Sequence, residues 1–297
     1  MISFFANLFG YVLNFLYELV QNYGVAIILF SILIKLIMLP ISIKQQKTMK
    51  KSTKIQEELK QIQFKYKNDP EKLNQEMMGL YKRENMSPFS GCFSSIAQLI
   101  LLFSVFYLVR SPLTYMKKID SEAINQMKSI VQEAGATKGY EEIAIIDYVR
   151  NLESEPSVSE ENKDGFNIYD YVDQVNMNMD FLGVDLSKVP TQDLKDPKVL
   201  IIPVLYVLTS FISIRISTAM QNNKKKKENE PKSEEYDAMA ETNKMMNWMM
   251  PIMSISIAII APLGLALYWL MNNILMIIER LVINKFLKDE EEATKNA

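Results

Sequence analysis

Long apolar stretches, each about the length of a membrane-spanning helix, limit the possible folds of this sequence more than any other feature. They cover residues 25–43, 93–109, 199–216, 245–263 and 264–283. A helix needs about 20 mostly apolar residues to cross a hydrocarbon core of about 30 Å. The mean hydropathy of −0.01 hides this pattern, because strongly charged segments separate the apolar ones. The sequence therefore predicts an all-α integral membrane protein with five transmembrane helices.

These spans predict a division of the chain into nine segments. They are an interfacial amphipathic helix on the extracytoplasmic side (1–23), the first span (24–43), a cytoplasmic helical hairpin (44–87), the second span (88–116), an extracytoplasmic insert (117–196), the third span (197–218), a cytoplasmic loop (219–243), the fourth and fifth spans (244–283) and a cytoplasmic tail (284–297).

The first 23 residues carry apolar side chains at helical spacing, interrupted by Asn7, Asn14 and Glu18. This mixture favours a helix that lies in the membrane interface. A signal peptide is the alternative, but no basic residue precedes the apolar run and no small-residue cleavage site follows it.

The charges of the segments between the spans predict the orientation in the membrane. Residues 44–87 hold eleven basic and six acidic residues, whereas residues 117–198 hold nine basic and 17 acidic ones. A further basic run, 224–227, follows the third span. Basic loops face the cytoplasm, so we expect the N terminus outside and the C terminus inside a bacterial cell membrane.

Two helical stripes in residues 44–87 predict a hairpin, with a solvated charged linker as the alternative. Asp69 suits an N-cap, Pro70 the first helical position and Glu71 the first turn of the second helix. In the insert, apolar residues near 124–131 and 143–149 predict two helices. Residues 153–164 and 224–235 are polar and predict a flexible loop and a disordered loop.

Several kinds of chemistry are excluded by residue types that are absent. The chain has no histidine and one cysteine, Cys92. It therefore has no Ser-His or Cys-His nucleophile pair, no disulfide and no cysteine-rich metal site. It also has no phosphate-binding glycine loop and no specific nucleic-acid motif. We expect a protein that is not an enzyme and that uses no cofactor or metal.

Lys35 lies near the middle of the first span, where a lysine costs about 2.5–3.5 kcal/mol. About a dozen apolar residues in the same span contribute roughly −0.3 to −0.6 kcal/mol each near the centre, so insertion remains favourable. About ten residues separate Lys35 from either end, which disfavours snorkelling to the interface. Glu279 is assigned to a cytoplasmic end, so the sequence predicts an unpaired charge in a wet cavity; structural pairing is the alternative.

Other polar residues in the spans are candidates for lining the same cavity. Each of them alone is more often a contact between helices. The candidates are Gln98, Ser210, Ser213, Asn272 and Asn273.

Five motifs resemble the YidC/Oxa/Alb membrane protein insertases. Residues 24–40 (GVAIILFSILIKLIMLP) resemble the first core span of that family. Residues 75–82 (QEMMGLYK), 88–93 (PFSGCF) and Gln98 resemble its hairpin and second span. Residues 181–187 (FLGVDLS) and 262–269 (PLGLALYW), with Asn273, match its pattern around the last three spans.

The resemblance implies five helices around a hydrophilic groove that is open to the cytosol and to lipid. In this family the basic residue of the groove, here Lys35, receives polar parts of a nascent membrane protein. The implied partners are nascent membrane proteins, the ribosome, the Sec translocon and the lipid bilayer, without a cofactor. Recruitment of substrate by the hairpin would involve Gln75, Glu76, Met77, Met78, Tyr81 and Lys82.

The chain departs from the family pattern at several points. Lys35 stands where the family usually has arginine, and lysine lacks the planar fork of a guanidinium group. Ser94 stands where proline is common, and the insert is longer than the family core needs. No lipoprotein-type cysteine lies near the N terminus.

Two other classes of function compete with an insertase. A small-solute or anion transporter would use Lys35 as an anion site, but the sequence shows no inverted repeat of the kind common in transporters. An intramembrane enzyme would need a catalytic pair, and the spans offer no aspartate pair and no clear Ser–Lys arrangement.

Overall fold

A computed structural model describes residues 1–85, 90–135, 140–152, 166–222 and 258–296. The described residues are almost entirely helical. The longer helices are α1 (Ile2–Val20), α2 (Tyr23–Lys65), α3 (Pro70–Arg83), α4 (Ser90–Arg110), α5 (Ser121–Glu133), α6 (Glu141–Leu152), α8 (Ile201–Asn222) and α9 (Leu263–Asn296). The shorter elements are a π-helix (Leu113–Lys117), two 3-10 helices (Ile168–Tyr171 and Pro197–Leu200), α7 (Val172–Val175), and the antiparallel strands β1 (Asp180–Phe181) and β2 (Val184–Asp185).

The chain forms two compact units. The first unit consists of Met1–Leu33 and Leu102–Met276, and the second of Ile34–Leu101 and Ile277–Ala297.

Four helical segments within the described residues are long and apolar enough to cross a membrane: Ile2–Val20, Tyr23–Thr48, Pro197–Ile216 and Leu263–Leu287. The last three contain the first, third and fifth predicted spans. The second predicted span corresponds to α4, in which Leu99–Arg110 is the described apolar part. The predicted class, an all-α integral membrane protein, is therefore confirmed. The first segment, α1, is also long enough to cross, and its interfacial location stays a prediction.

The fourth predicted span lies outside the described residues up to residue 257. Residues 258–260 are helical, residues 261 and 262 are not, and α9 begins at Leu263. The interruption lies next to the predicted boundary between the last two spans, residues 263 and 264. The predicted loops at 153–164 and 224–235 also lie outside the described residues.

The predicted hairpin is present in the second unit. Its first arm is the end of α2 and its second arm is α3, which begins at Pro70 after the N-cap Asp69. The carboxylate of Asp69 accepts a hydrogen bond from the backbone N–H of Lys72 at 3.1 Å. One residue of each predicted stripe, Ile55 and Leu80, is buried. An ion pair between Glu58 and Arg83 also joins the two arms.

The insert (117–196) contains the two predicted helices, α5 and α6. Tyr148, one of the side chains that predicted them, is half-buried. The others are buried: Ile124, Met127, Ile130, Val131, Ile143, Ile146 and Val149. Asp120 caps α5 through the backbone N–H of Glu122 at 2.8 Å. The insert therefore has a hydrophobic core of its own, within the first unit.

One face of α1 packs against the π-helix that follows α4. The closest approach is at Gly10, where an added Cβ would lie 1.8 Å from the carbonyl oxygen of Tyr115. Ala6 and Leu13 extend this buried face. A second face leaves Phe4 and Phe15 exposed.

Candidate functional site

Lys35 is paired with an acid rather than unpaired. Its Nζ lies 3.0 Å from Oε2 of Glu279, and both residues belong to the second unit. The exposed fraction of the side chain is 23% for Lys35 and 8% for Glu279. The prediction that this charge is unpaired is therefore wrong, and its location in a wet cavity stays a prediction.

Glu279 lies near the end of the fifth predicted span (264–283), and for that reason it was not predicted to be a partner of Lys35. α9 does not stop near residue 283 but continues to Asn296, so Glu279 lies in its interior. The first turns of α2 and α9 are adjacent, because an added Cβ at Gly264 would lie 3.3 Å from Cε1 of Tyr23. At 1.5 Å per residue, Lys35 and Glu279 lie roughly 18 Å and 24 Å from the starts of their helices.

The pair is electrically neutral and only partly satisfied by hydrogen bonds. Oε2 of Glu279 accepts from Nζ of Lys35, whereas its buried Oε1 has no hydrogen-bond partner among the described residues. Buried polar atoms in native structures nearly always have a partner. A charged pair held among apolar helices in this way is costly to keep, which marks it as a candidate functional site.

A second polar contact in the spans joins α8 and α9. The side-chain amide of Asn273 donates to Oγ of Ser210 at 2.7 Å. Ser210 and Ser213 are both buried, and the rings of Tyr206 and Trp269 lie 6.2 Å apart in the same helix pair. This contact is the interhelical kind that membrane helices commonly use.

The predicted groove residues are divided between the two compact units. Lys35 belongs to the second unit, whereas the first unit contains Ser210, Ser213, Asn272 and Asn273. Asn272 is half-buried. The side chain of Gln98 lies outside the described part of α4. The convergence of all six residues on one groove stays a prediction.

The predicted recruitment residues all lie on α3, the second arm of the hairpin. Gln75, Glu76, Met78 and Lys82 are exposed, and Met77 and Tyr81 are half-buried. This surface is accessible to a partner, but its role in recruitment stays a prediction.

Glu279 is the site residue that the sequence analysis set aside. A usable signal was present, because Glu279 lies inside the apolar segment Leu263–Leu287 rather than beyond its end. An acid in one span and a base in another are the groups that would neutralise each other inside a membrane.

Glu142, in the insert, is a second carboxylate that the sequence did not single out. Its Oε2 accepts from the backbone N–H of Thr114 at 3.0 Å and its Oε1 from the hydroxyl of Thr114 at 2.7 Å. Glu142 thus caps the start of the π-helix. Burial raises the pKa of its carboxyl, against the opposing effect of these hydrogen bonds. Its role is structural, because it holds the segment on which α1 packs.

The insert also has a small cleft lined by charged residues. Nζ of Lys188 lies 3.3 Å from Oδ2 of Asp147, and Asp193 accepts from the backbone N–H of Val189. Lys188 and Asp147 therefore form an ion pair within the insert. No group of three or more potential metal ligands occurs in the described parts of the chain.

The fold and the charged pair together define a class: a multi-pass α-helical membrane protein with polar groups held inside its spans. The chain belongs to the 60Kd inner membrane protein family, whose model matches residues 15–291.

Relatives of this chain carry a common name, membrane protein insertase YidC. The protein from Chlorobaculum parvum is 28% identical over 282 residues, which cover 95% of this chain and 36% of the relative. The protein from Caldanaerobacter subterraneus is 41% identical over 102 residues, covering 34% of this chain and 50% of the relative. The protein from Chloroherpeton thalassium is 44% identical over 100 residues, which cover 34% of this chain and 17% of the relative. The chain thus spans about a third of the length of the Chlorobaculum relative.

Proposed function

We propose that this protein is a membrane protein insertase and chaperone. It receives polar segments of nascent membrane proteins in an intramembrane groove that contains Lys35, and it releases their hydrophobic segments into lipid. The names of the relatives and the family membership support this class of function.

The observation that carries the proposal is Lys35 itself. It retains 23% exposure of its side chain although it lies in an apolar span and is paired with Glu279. A charge at this depth that remains partly accessible offers a polar contact within the hydrocarbon layer. Such a contact lowers the free-energy barrier for moving a polar segment into the membrane. The barrier is high without it, because an unsatisfied polar group in hydrocarbon costs several kcal/mol, roughly 2–7 depending on the reference state.

The hairpin supports a further part of the proposal, namely recruitment. Its exposed arm, α3, would meet substrate, the ribosome or the Sec translocon at the cytoplasmic surface. With the basic hairpin in the cytoplasm and the acidic insert outside, the N terminus is outside and the C terminus is inside.

Variants of Lys35 test the proposal directly. In cells depleted of the endogenous insertase, Lys35→Arg should support insertion of a single-span substrate, since it retains the charge opposite Glu279. Lys35→Ala leaves Glu279 buried without its partner, and Lys35→Glu adds a like charge beside it. We expect both to reduce insertion about tenfold or more, a factor equivalent to about 1.4 kcal/mol. Protease protection of the substrate gives the measurement.

The same variants in liposomes separate the insertase from a transporter. Purified protein should protect the translocated tail of a labelled substrate without passing small anions. Equal insertion by Lys35→Glu and wild type would contradict the role of the charge. Anion flux without protected substrate would support a transporter instead.

A further inference from the structure

The ion pair raises a question about which polar segments the groove prefers. Lys35 alone would attract acidic groups. Glu279 lies 3.0 Å away from it, however, and both belong to the same unit. An incoming carboxylate is attracted by Lys35 and repelled by the neighbouring Glu279.

We propose that Glu279 is a specificity-determining residue: it neutralises Lys35 and so keeps the groove from selecting acidic over uncharged polar segments. This inference rests on the proposed function. The relevant property of the site is its net charge, which is zero in the pair, and not the lysine taken alone.

The geometry supports a neutral site that still binds polar groups. An ammonium group has three N–H donors, and the pair accounts for one of them at Oε2 of Glu279. Lys35 is the more exposed partner and Glu279 lies deeper. Lys35 can therefore donate a hydrogen bond to a carbonyl, amide or hydroxyl oxygen of an uncharged substrate segment.

The incomplete satisfaction of Glu279 argues for a function rather than for stability alone. Its Oε1 is buried without a hydrogen-bond partner in the described residues. An apolar residue at this position would avoid that penalty, since buried ion pairs are often no more stabilising than well-packed apolar residues. A buried acid with one unsatisfied oxygen is understandable if its charge tunes what Lys35 binds.

A four-protein cycle tests the proposal through net charge. The proteins are wild type, Glu279→Gln, Lys35→Gln and the double variant, with nominal pair charges of zero, +1, −1 and zero. Each is purified, reconstituted in liposomes and given three single-span substrates that differ only by Asp, Asn or Lys at one tail position. The measured quantity is the ratio of protease-protected Asp substrate to protected Asn substrate. The ratio of protected Lys substrate to protected Asn substrate should change in the opposite direction.

The expected order is set by the pair charge. Glu279→Gln should raise the Asp-to-Asn ratio at least about fivefold, at the lower end of typical coupling between two sites. Lys35→Gln should lower the ratio, and the double variant should return it to near the wild-type value. The double variant also guards against misfolding, because neither Lys35 nor Glu279 is left charged without the other.

Two controls separate local charge from other effects. Glu279→Asp keeps the charge and should keep the wild-type ratio. Asp170→Asn removes one acid from an exposed position in the insert and should leave the ratio unchanged.

The outcomes distinguish the two proposals. If wild type inserts all three substrates but Glu279→Gln has the wild-type ratio, the specificity role of Glu279 is overturned and the insertase function stands. A double variant that resembles either single variant also contradicts it. If wild type inserts none of the substrates, the insertase function fails, and the role of Glu279 fails with it.

Discussion

Individual carboxylates show how strongly burial determines what a residue does in this protein. Glu279 and Glu142 are both more than nine-tenths buried. Glu142 accepts hydrogen bonds from two donors of Thr114. Glu279 accepts one from Lys35 at Oε2, whereas its Oε1 has no hydrogen-bond partner among the described residues. The first arrangement secures a local fold, and the second leaves a polar site inside the spans.

The raised pKa of Glu142 predicts a pH dependence of stability. Its carboxyl holds a proton more tightly in the folded state than in the unfolded state, because burial disfavours its charge. Its contribution to stability is therefore complete below the ordinary pKa of a glutamate and is lost as the pH rises through the folded-state pKa.

Glu142→Gln should make the decline of the melting temperature in detergent between pH 4 and pH 8 less steep. Glu133→Gln, at an exposed position of α5, is the matched control and should retain the wild-type slope. An unchanged slope in Glu142→Gln would show that this carboxyl does not change its protonation on unfolding.

At the scale of elements, the contact between α1 and the π-helix depends on the absence of one side chain. The Cβ of an alanine at position 10 would lie 1.8 Å from the carbonyl oxygen of Tyr115, well inside contact distance. The backbone oxygen cannot move aside as a flexible side chain could, so the two elements must separate.

Gly10→Ala should therefore destabilise the protein by about 1–3 kcal/mol, the usual cost of overpacking. Gly79→Ala is the matched control, since nothing lies within 4 Å of its added Cβ in the interior of α3. It should be neutral or stabilising by up to roughly 1 kcal/mol, because alanine favours a helix. Thermal unfolding in detergent measures both, and equal effects of the two substitutions would contradict the close packing of α1.

At the scale of the whole molecule, the charge distribution predicts which side of the membrane each segment faces. The tip of the β1–β2 turn is Leu182, whose exposed fraction is 88%, and it lies in the acidic insert. Lys72 lies on α3 of the basic hairpin and is also exposed. The two positions should therefore face opposite sides of the membrane.

Cysteine labelling tests this orientation. In a Cys92→Ser background, Leu182→Cys should react with a membrane-impermeant maleimide in intact cells. Lys72→Cys should react only after permeabilisation. The reverse pattern would invert the proposed topology, and the Cys92→Ser protein without a new cysteine gives the background signal.

The sequence predicted the features that depend on neighbours along the chain. The Asp69 cap and Pro70 fix the start of α3, since a cap needs a donor only three residues away. The apolar stripes predicted α5 and α6, because helical periodicity places their apolar residues on one face. Three of the five spans follow from length and hydropathy in the same way.

The tertiary structure alone decided the partners of the polar residues in the spans. Lys35 and Glu279 are 244 residues apart, and Ser210 and Asn273 are 63 apart. Local spacing carries no information about which helices become adjacent or how far α9 continues past its apolar part. A lysine that the sequence marked as unpaired is therefore half of an ion pair, because the identity of a neighbour across helices is fixed by packing and not by periodicity.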